Sequence, residues 1–193
     1  MDKIPLSCII LAGGKSSRMG EDKALLPFGG YSSLTLYQYE RLKNHFKSLH
    51  VSTKSKNKFD FEASFVEDVE SFGEYSPLVA LYSVLKKFQE PLFFISVDTP
   101  FVPPIVFQKL YEEYEESLDA VLARDSKGTS HQLCAIYSPK LLPKIEKSLL
   151  NNKHKIRDIF KESNVKYTDF ENNDWFFNLN HKEQYEKAKE MIK

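Results

Sequence analysis

Residues 11–20 read LAGGKSSRMG and follow the apolar run Ser7-Cys8-Ile9-Ile10. The chain leaves a strand-like segment through two adjacent glycines and then sets Lys15, Arg18 and Lys23 within nine residues. Gly13 and Gly14 carry no Cβ, so their backbone N–H groups can come close to a ligand. Successive N–H groups in a tight loop form a nest for an anion. Leu25-Leu26-Pro27-Phe28 then turns apolar and anchors Lys23 at the end of the loop. A triphosphate is the ligand that such a loop suits. A solvated loop with clustered charges is the plain alternative for the same residues.

Two familiar phosphate motifs do not fit. The P-loop, G-x-x-x-x-G-K-[ST], needs a glycine five residues before Gly14, where the chain has Ile9 inside the strand. The dinucleotide fingerprint G-x-G-x-x-G fails because Lys15 stands where its second glycine belongs.

Outward from this loop, strand and helix patterns alternate. Leu6 to Leu11 is a short apolar run fit for a buried parallel strand. Spacing at Leu34, Tyr37, Leu42 and Phe46 predicts a helix over 34–46. Strands are expected at Leu49–Thr53 and Ala63–Val66. Ser76-Pro77 reads as an N-cap followed by proline at the first helical position, opening a helix to about Phe88. Leu92 to Val97 is the clearest buried strand, and Asp98-Thr99-Pro100 ends it. Pro104–Glu116, Lys140–Leu150 and Ile156–Glu162 read as helical, and Ala120–Ala123, Leu133–Tyr137 and Val165–Phe170 as strands. Asn180 is read as the cap of a last helix to Lys193, with Glu183 at N3. The expected fold is α/β: a Rossmann-like three-layer α/β/α sandwich on a mostly parallel sheet, one domain spanning residues 1–193. Ligands of such sheets bind beyond the carboxyl ends of the strands. Both the glycine loop and Asp98 belong there.

Asp98 is the second candidate. A carboxylate facing a cationic phosphate loop suits Mg²⁺, which commonly uses one or two carboxylates plus substrate phosphates. The same aspartate also suits a turn before Pro100. The third candidate is Phe177-Asn178-Leu179-Asn180, whose alternation puts Asn178 and Asn180 on one side of an extended segment.

Composition bounds the function class. At 193 residues with 41% hydrophobic and 28% charged residues, the chain reads as an ordinary globular protein with a real core. Its formal net charge is zero, which gives a nucleic-acid partner no whole-chain support. No apolar run approaches the roughly 20 residues of a membrane span, so no membrane role is expected. No signal-peptide pattern opens the sequence. Cys8 and Cys134 both lie in apolar runs and read as buried small hydrophobes, and the cytoplasm is the expected compartment.

Leu11-Ala12-Gly13-Gly14-Lys15-Ser16-Ser17-Arg18-Met19-Gly20-Glu21-Asp22-Lys23 resembles the L-A-G-G-x-S-x-R-M-G-x-D-K signature of nucleotidyltransferases of the molybdenum cofactor guanylyltransferase type. Val66-Glu67-Asp68, Pro77-Leu78, Asp98-Thr99-Pro100-Phe101-Val102-Pro103 and Phe177-Asn178-Leu179-Asn180 agree in the same order. The resemblance implies transfer of GMP from GTP to the terminal phosphate of molybdenum-carrying molybdopterin, with release of pyrophosphate. It implies a guanine nucleotide held around Leu11, Ala12, Gly13, Gly14 and Lys15. Lys23 would meet the phosphates, Asp68 would lie near the nucleotide, and Asp98 would bind Mg²⁺. Lys23, Arg18 and Asp98 are the expected catalytic groups. Implied partners are GTP, the molybdopterin cofactor, cofactor-biosynthesis proteins and the apoenzymes that receive the product.

The sequence departs from that pattern at three places. Ser76-Pro77-Leu78-Val79-Ala80 lacks the glycines of Gly-Pro-Leu-Ala-Gly, His131-Gln132 stands for His-Pro, and Ser52-Thr53 stands where an asparagine is usual. Arg124, His131 and Arg157 are candidates for the pterin side, although each also suits the surface. Alternative readings keep the fold and change the substrate, to a molybdopterin cytidylyltransferase or a sugar- or polyol-phosphate nucleotidyltransferase. A non-catalytic nucleotide or cofactor carrier is a further one.

Overall fold

The computed structural model describes residues 3–13, 20–73 and 75–192. Among them are seven strands in one sheet: β1 (Ile4–Leu11), β2 (Phe46–Thr53), β3 (Ser64–Glu67), β4 (Leu92–Ser96), β5 (Ala120–Asp125), β6 (Ser130–Tyr137) and β7 (Val165–Phe170). Five α-helices accompany them: α1 (Leu34–Leu42), α2 (Pro77–Phe88), α3 (Pro104–Glu112), α4 (Leu142–Leu150) and α5 (Lys182–Met191). The sheet order is β3-β2-β1-β4-β6-β5-β7. Pairing is parallel except that β6 runs antiparallel to both β4 and β5.

Side-chain alternation builds the three layers. Cys8 and Ile10 of β1, Phe93 and Ile95 of β4, and Cys134 and Ile136 of β6 face α1, α3 and α5. Their neighbours Ile9, Phe94 and Ala135 face α2 and α4. Strands buried on both sides read as continuous apolar runs, which is why Leu92-Phe93-Phe94-Ile95 is so conspicuous. Both cysteines are buried free thiols. No described helix is long and apolar enough to cross a membrane.

The Ser76 cap of α2 is as the sequence suggests, its side chain accepting from Val79 N at 3.3 Å. Several boundaries differ; the helix expected over 104–116 ends at Glu112, and the strand expected from Leu133 begins at Ser130. The helix over 34–46 stops at Leu42, because Phe46 pairs with Ile4 to open β2. Phe46 keeps a helical spacing, yet its burial against Phe93 and Phe107 in the core decides its state. Residues 156–162 form only a short 3-10 turn, Ile156–Phe160. The last helix is capped by His181 rather than Asn180, and Gln184, not Glu183, stands at N3. Gln184 Oε1 accepts from both Asn180 N (2.8 Å) and His181 N (2.9 Å), so one side chain satisfies two orphan donors.

Phe93 is fully buried between Phe46 and Phe107, with ring centroids 5.3 and 5.2 Å away. Phe93→Ala is expected to destabilise the protein by about 3–5 kcal/mol in chemical denaturation. A loss below about 1 kcal/mol would mean that this layer repacks freely.

Candidate active site

Parallel pairing brings the ends of β1, β2, β3 and β4 to one side of the sheet. Leu11 pairs with Ser96, so β1 and β4 end level. Backbone bonds continue past the strands: Ala12 N donates to Ser52 O (2.9 Å), Val97 N to Leu11 O (3.1 Å) and Asp68 N to Thr53 O (3.1 Å). The crevice beyond these ends is where α/β sheets bind ligands.

Lys23 opens a 3-10 turn, Lys23–Leu25, whose cap Asp22 accepts from Ala24 N at 3.0 Å. Thr35 of α1 donates to Ala24 O at 2.7 Å and fixes the turn against the core. From there Lys23 Nζ donates to Asp98 Oδ2 at 2.8 Å and to Asn180 Oδ1 at 3.0 Å. Both charged side chains are largely shielded, at 18% and 15% exposed. Ser96 donates to the other Asp98 oxygen at 2.6 Å. Three candidates far apart in sequence thus meet in one cluster. Asn180 is available for it because His181 is the N-cap and Gln184 at N3 completes the capping. Asn178 makes no side-chain hydrogen bond among the described residues. Gly14, Lys15 and Arg18 lie outside the described residues.

The loop carrying Asp98 is held from below. Gln38, fully buried in α1, donates to Ser96 O (3.3 Å) and Thr99 O (3.2 Å). Arg41 donates to Val102 O at 2.6 Å and grips Gln38 Oε1. Leu179 N donates to Asp98 O at 2.9 Å and joins the late segment to the same turn.

Asp68 follows β3 beside this cluster. Its Oδ1 accepts from Ser52 Oγ at 2.9 Å, while Oδ2 is buried without a hydrogen-bond partner among the described residues. Burial pushes its carboxyl up to about 6, although the Ser52 bond and the charges of Lys54 and Lys58 oppose this. Asp68, Lys54 and Tyr75 line one cavity, and Gly13, Lys23, Asp98 and again Tyr75 line a second. Burial holds the Tyr75 phenol well above its ordinary value, with Asp68 and Asp22 adding to the effect. A Cβ on Gly13 would lie 2.2 Å from the Tyr75 hydroxyl oxygen.

Sequence reasoning missed Lys58, Tyr75 and Lys54. Lys58 Nζ donates to Ala12 O (3.0 Å) and to Asp22 Oδ2 (2.7 Å), and so ties together the two flanks of the glycine loop. No motif marks it, since its partners are 46 and 36 residues away. Two pterin-side candidates are engaged elsewhere. Arg124 makes a two-pronged pair with Asp169 (2.6 and 2.8 Å) between β5 and β7. His131 stacks on Phe176 at 4.1 Å and meets Asp125 Oδ2 at 3.1 Å.

The described residues contain no group of three or more His, Cys, Asp or Glu side chains that could hold a metal by themselves. The donor set fits an ion that shares its shell with phosphate oxygens, for which one carboxylate such as Asp98 suffices.

Residues 8–167 match the model of the MobA-like NTP transferase domain. Over 97% of both chains, the protein is 38% identical to a molybdenum cofactor guanylyltransferase of Campylobacter jejuni subsp. doylei. It is 32% identical to the molybdenum cofactor guanylyltransferase of Helicobacter pylori strain G27, covering 100% of this chain and 95% of that one. The crystal structure of molybdopterin-guanine dinucleotide biosynthesis protein A from Archaeoglobus fulgidus superposes with a TM-score of 0.83 at 22% identity, covering 96% of this chain and 98% of that one, and so shares the fold. The chain belongs to the MobA-like NTP transferases, a nucleotidyltransferase family, together with the molybdenum cofactor guanylyltransferases.

Proposed function

We propose that the protein transfers GMP from GTP to the terminal phosphate of molybdenum-carrying molybdopterin and releases pyrophosphate. The cluster of Lys23, Asp98 and Asn180 at the carboxyl ends of β1 and β4 carries this reading. A cation, a metal-competent carboxylate and an amide stand together where the fold admits a ligand. The named relatives supply the choice of substrates.

The nucleophile is an oxygen of a phosphate monoester. Its second pKa is about 6, so it is ionised at neutral pH and needs no general base. An oxygen–phosphorus bond forms at the α-phosphate, and the bond to the bridging oxygen breaks, its electron pair leaving with pyrophosphate. The obstacle is repulsion between two anions. Lys23 neutralises charge on the phosphates, and Asn180 Oδ1 holds the ammonium in place. Ser96 orients the Asp98 carboxylate. Asp98 would hold Mg²⁺ together with the triphosphate, and the ion would supply charge neutralisation on the α-phosphate and the departing pyrophosphate. Leu11, Ala12, Gly13, Gly14 and Lys15 form the nucleotide-holding loop on this reading, and Arg18 adds a cation to it. The orphan Oδ2 of Asp68 is a ready acceptor for donors of the nucleotide, and its partner Ser52 keeps the other oxygen occupied.

Lys23→Ala and Asp98→Ala are each expected to lower pyrophosphate release at saturating GTP and molybdopterin by at least about 100-fold, with circular dichroism unchanged. Full turnover in either variant would remove that residue from the chemistry. Titration calorimetry with GTP, CTP, UTP and ATP in Mg²⁺ tests the base, with GTP expected to bind most tightly. A preference for CTP would move the protein to cytidylyl transfer on the same fold.

The Asp68 carboxyl gives a stability test in ligand-free protein. A carboxyl raised on folding contributes stability that is full below the unfolded value near 3.8 and lost as pH rises through about 6. Asp68→Asn, which never ionises, is therefore expected to gain about 3 kcal/mol over the wild type at pH 8 and to lose that advantage near pH 4. Denaturation midpoints across this range decide it. An advantage that does not change with pH would show that Asp68 titrates as an ordinary surface carboxyl.

A further inference from the structure

Lys58 reaches the glycine loop from outside its motif. It ends a 3-10 turn, Lys56–Lys58, on the connection between β2 and β3. That turn is rooted on both sides. Lys56 N donates to Glu67 Oε1 at 3.0 Å, at the end of β3. Phe59 N donates to Lys56 O at 3.1 Å, and the Phe59 ring stacks on Phe65 of β3 with centroids 5.3 Å apart. The Lys58 ammonium stands 5.0 Å from the Phe59 ring centroid, which gives the cation an aromatic wall.

From this root Lys58 Nζ donates to Ala12 O at 3.0 Å and to Asp22 Oδ2 at 2.7 Å. Ala12 is the residue before Gly13, and Asp22 is the residue before Lys23. One ammonium therefore joins the entry and the exit of the stretch 13–21. Ala12 is fixed from its other side by its own N–H, which donates to Ser52 O at 2.9 Å. Asp22 divides its two oxygens. Oδ1 accepts from Ala24 N at 3.0 Å and caps the turn that presents Lys23, while Oδ2 takes Lys58. Lys58 thus bears on Lys23 through Asp22.

Two physical effects follow. A loop whose ends are already joined loses less chain entropy when a ligand orders it. Asp22 also lines the Lys23–Asp98 cavity, and Lys58 is its ion-pair partner among the described residues. Without that cation the carboxylate would repel a triphosphate that the cavity receives. Folding itself gains little from such a pair, whose side chains are 22% and 33% exposed.

We propose that Lys58 is a positioning residue for the nucleotide. It clamps the neck of the glycine loop and masks the Asp22 carboxylate, and so sets the affinity of the crevice for a triphosphate without touching the reacting atoms. The inference rests on the reading that Lys23 meets the phosphates of GTP.

The test compares full-length Lys58→Met, Lys58→Arg, Asp22→Asn and the double variant Lys58→Met with Asp22→Asn. Asparagine keeps an oxygen for the cap on Ala24 N but offers Lys58 no charge, so it isolates the clamp. Circular dichroism and denaturation midpoints are expected to stay close to wild type. In Lys58→Met, the calorimetric Kd for GTP in Mg²⁺ and the GTP KM for pyrophosphate release are each expected to rise about tenfold. Its kcat at saturating GTP is expected to stay within about threefold of wild type. Lys58→Arg, which keeps a cation of similar reach, is expected to recover most of the affinity. Asp22→Asn is expected to weaken binding less than Lys58→Met, since it breaks the tie but leaves no unmasked carboxylate. The double variant is expected to bind GTP no more weakly than Lys58→Met alone, because both changes break the same contact. Unchanged GTP affinity in Lys58→Met would overturn the clamp. So would a loss confined to kcat, which would place Lys58 at the reacting atoms. Additive losses in the double variant would overturn it as well, by showing that Lys58 acts on the phosphates directly. None of these results touches the transfer reading, which the wild type's own pyrophosphate release decides. A wild type that binds GTP through this clamp yet releases no pyrophosphate would sink that reading and keep the clamp.

Discussion

Lys23 and Asp98 meet because β1 and β4 are parallel neighbours in register. Leu11 lies beside Ser96, so both strands stop at the same height and both following loops open on the same side. Everything else at the site is fastened to this coincidence. Val97 N still donates back to Leu11 O one residue past the strand end. Gln38 takes up the carbonyls of Ser96 and Thr99, and Arg41 that of Val102. Leu179 N then uses the carbonyl of Asp98 itself. Buried carbonyls left unmatched would each cost about 1–3 kcal/mol. The loop bearing the carboxylate is therefore as tightly specified as a strand, although it contains no ladder.

A shielded ion pair has a particular electrostatic character. Removing both charges from water is costly, and only good geometry with further hydrogen bonds offsets it. Here Asn180 and Ser96 supply those extra bonds. In the ligand-free protein the cation and the carboxylate compensate each other. On the proposed reading, a triphosphate with its ion brings both an anion for Lys23 and a cation for Asp98. Each of the two charges would then keep a partner of opposite sign with ligand bound as it does without. Preorganisation of this kind is what electrostatic catalysis requires.

How much of this could be seen in the sequence follows from the range of each interaction. β1, β4 and α2 were legible because apolar runs and the Ser76-Pro77 cap are local signals. Lys23 and Asp98 were legible as residues, since each ends a recognisable segment, but the sequence could not supply their 2.8 Å contact. Asn180 was misread as a cap because its spacing to Glu183 imitates a capping box, whereas Gln184 reaches back to do the work. Phe46 was misread as helical because its spacing is local and its pairing with Ile4 is not. Lys58 and Tyr75 left no trace at all. Their partners are brought in by the sheet, and nothing in their own neighbourhoods advertises it.

Gly13 shows how far a correct residue can rest on an incomplete reason. The sequence attributes its missing Cβ to the close approach of a phosphate. In the fold, the space a Cβ would fill is already occupied by the Tyr75 ring, whose hydroxyl would stand 2.2 Å away. Tyr75 in turn lines both the cavity at Asp68 and the cavity at Lys23 and Asp98, with the Lys54 ammonium 4.6 Å from its ring centroid. The two cavities thus share a side chain that rests on a glycine. A ring can rotate about its side-chain bonds where a backbone wall cannot. The glycine therefore leaves room for the tyrosine that lines both the Asp68 side of the crevice and the Lys23 side.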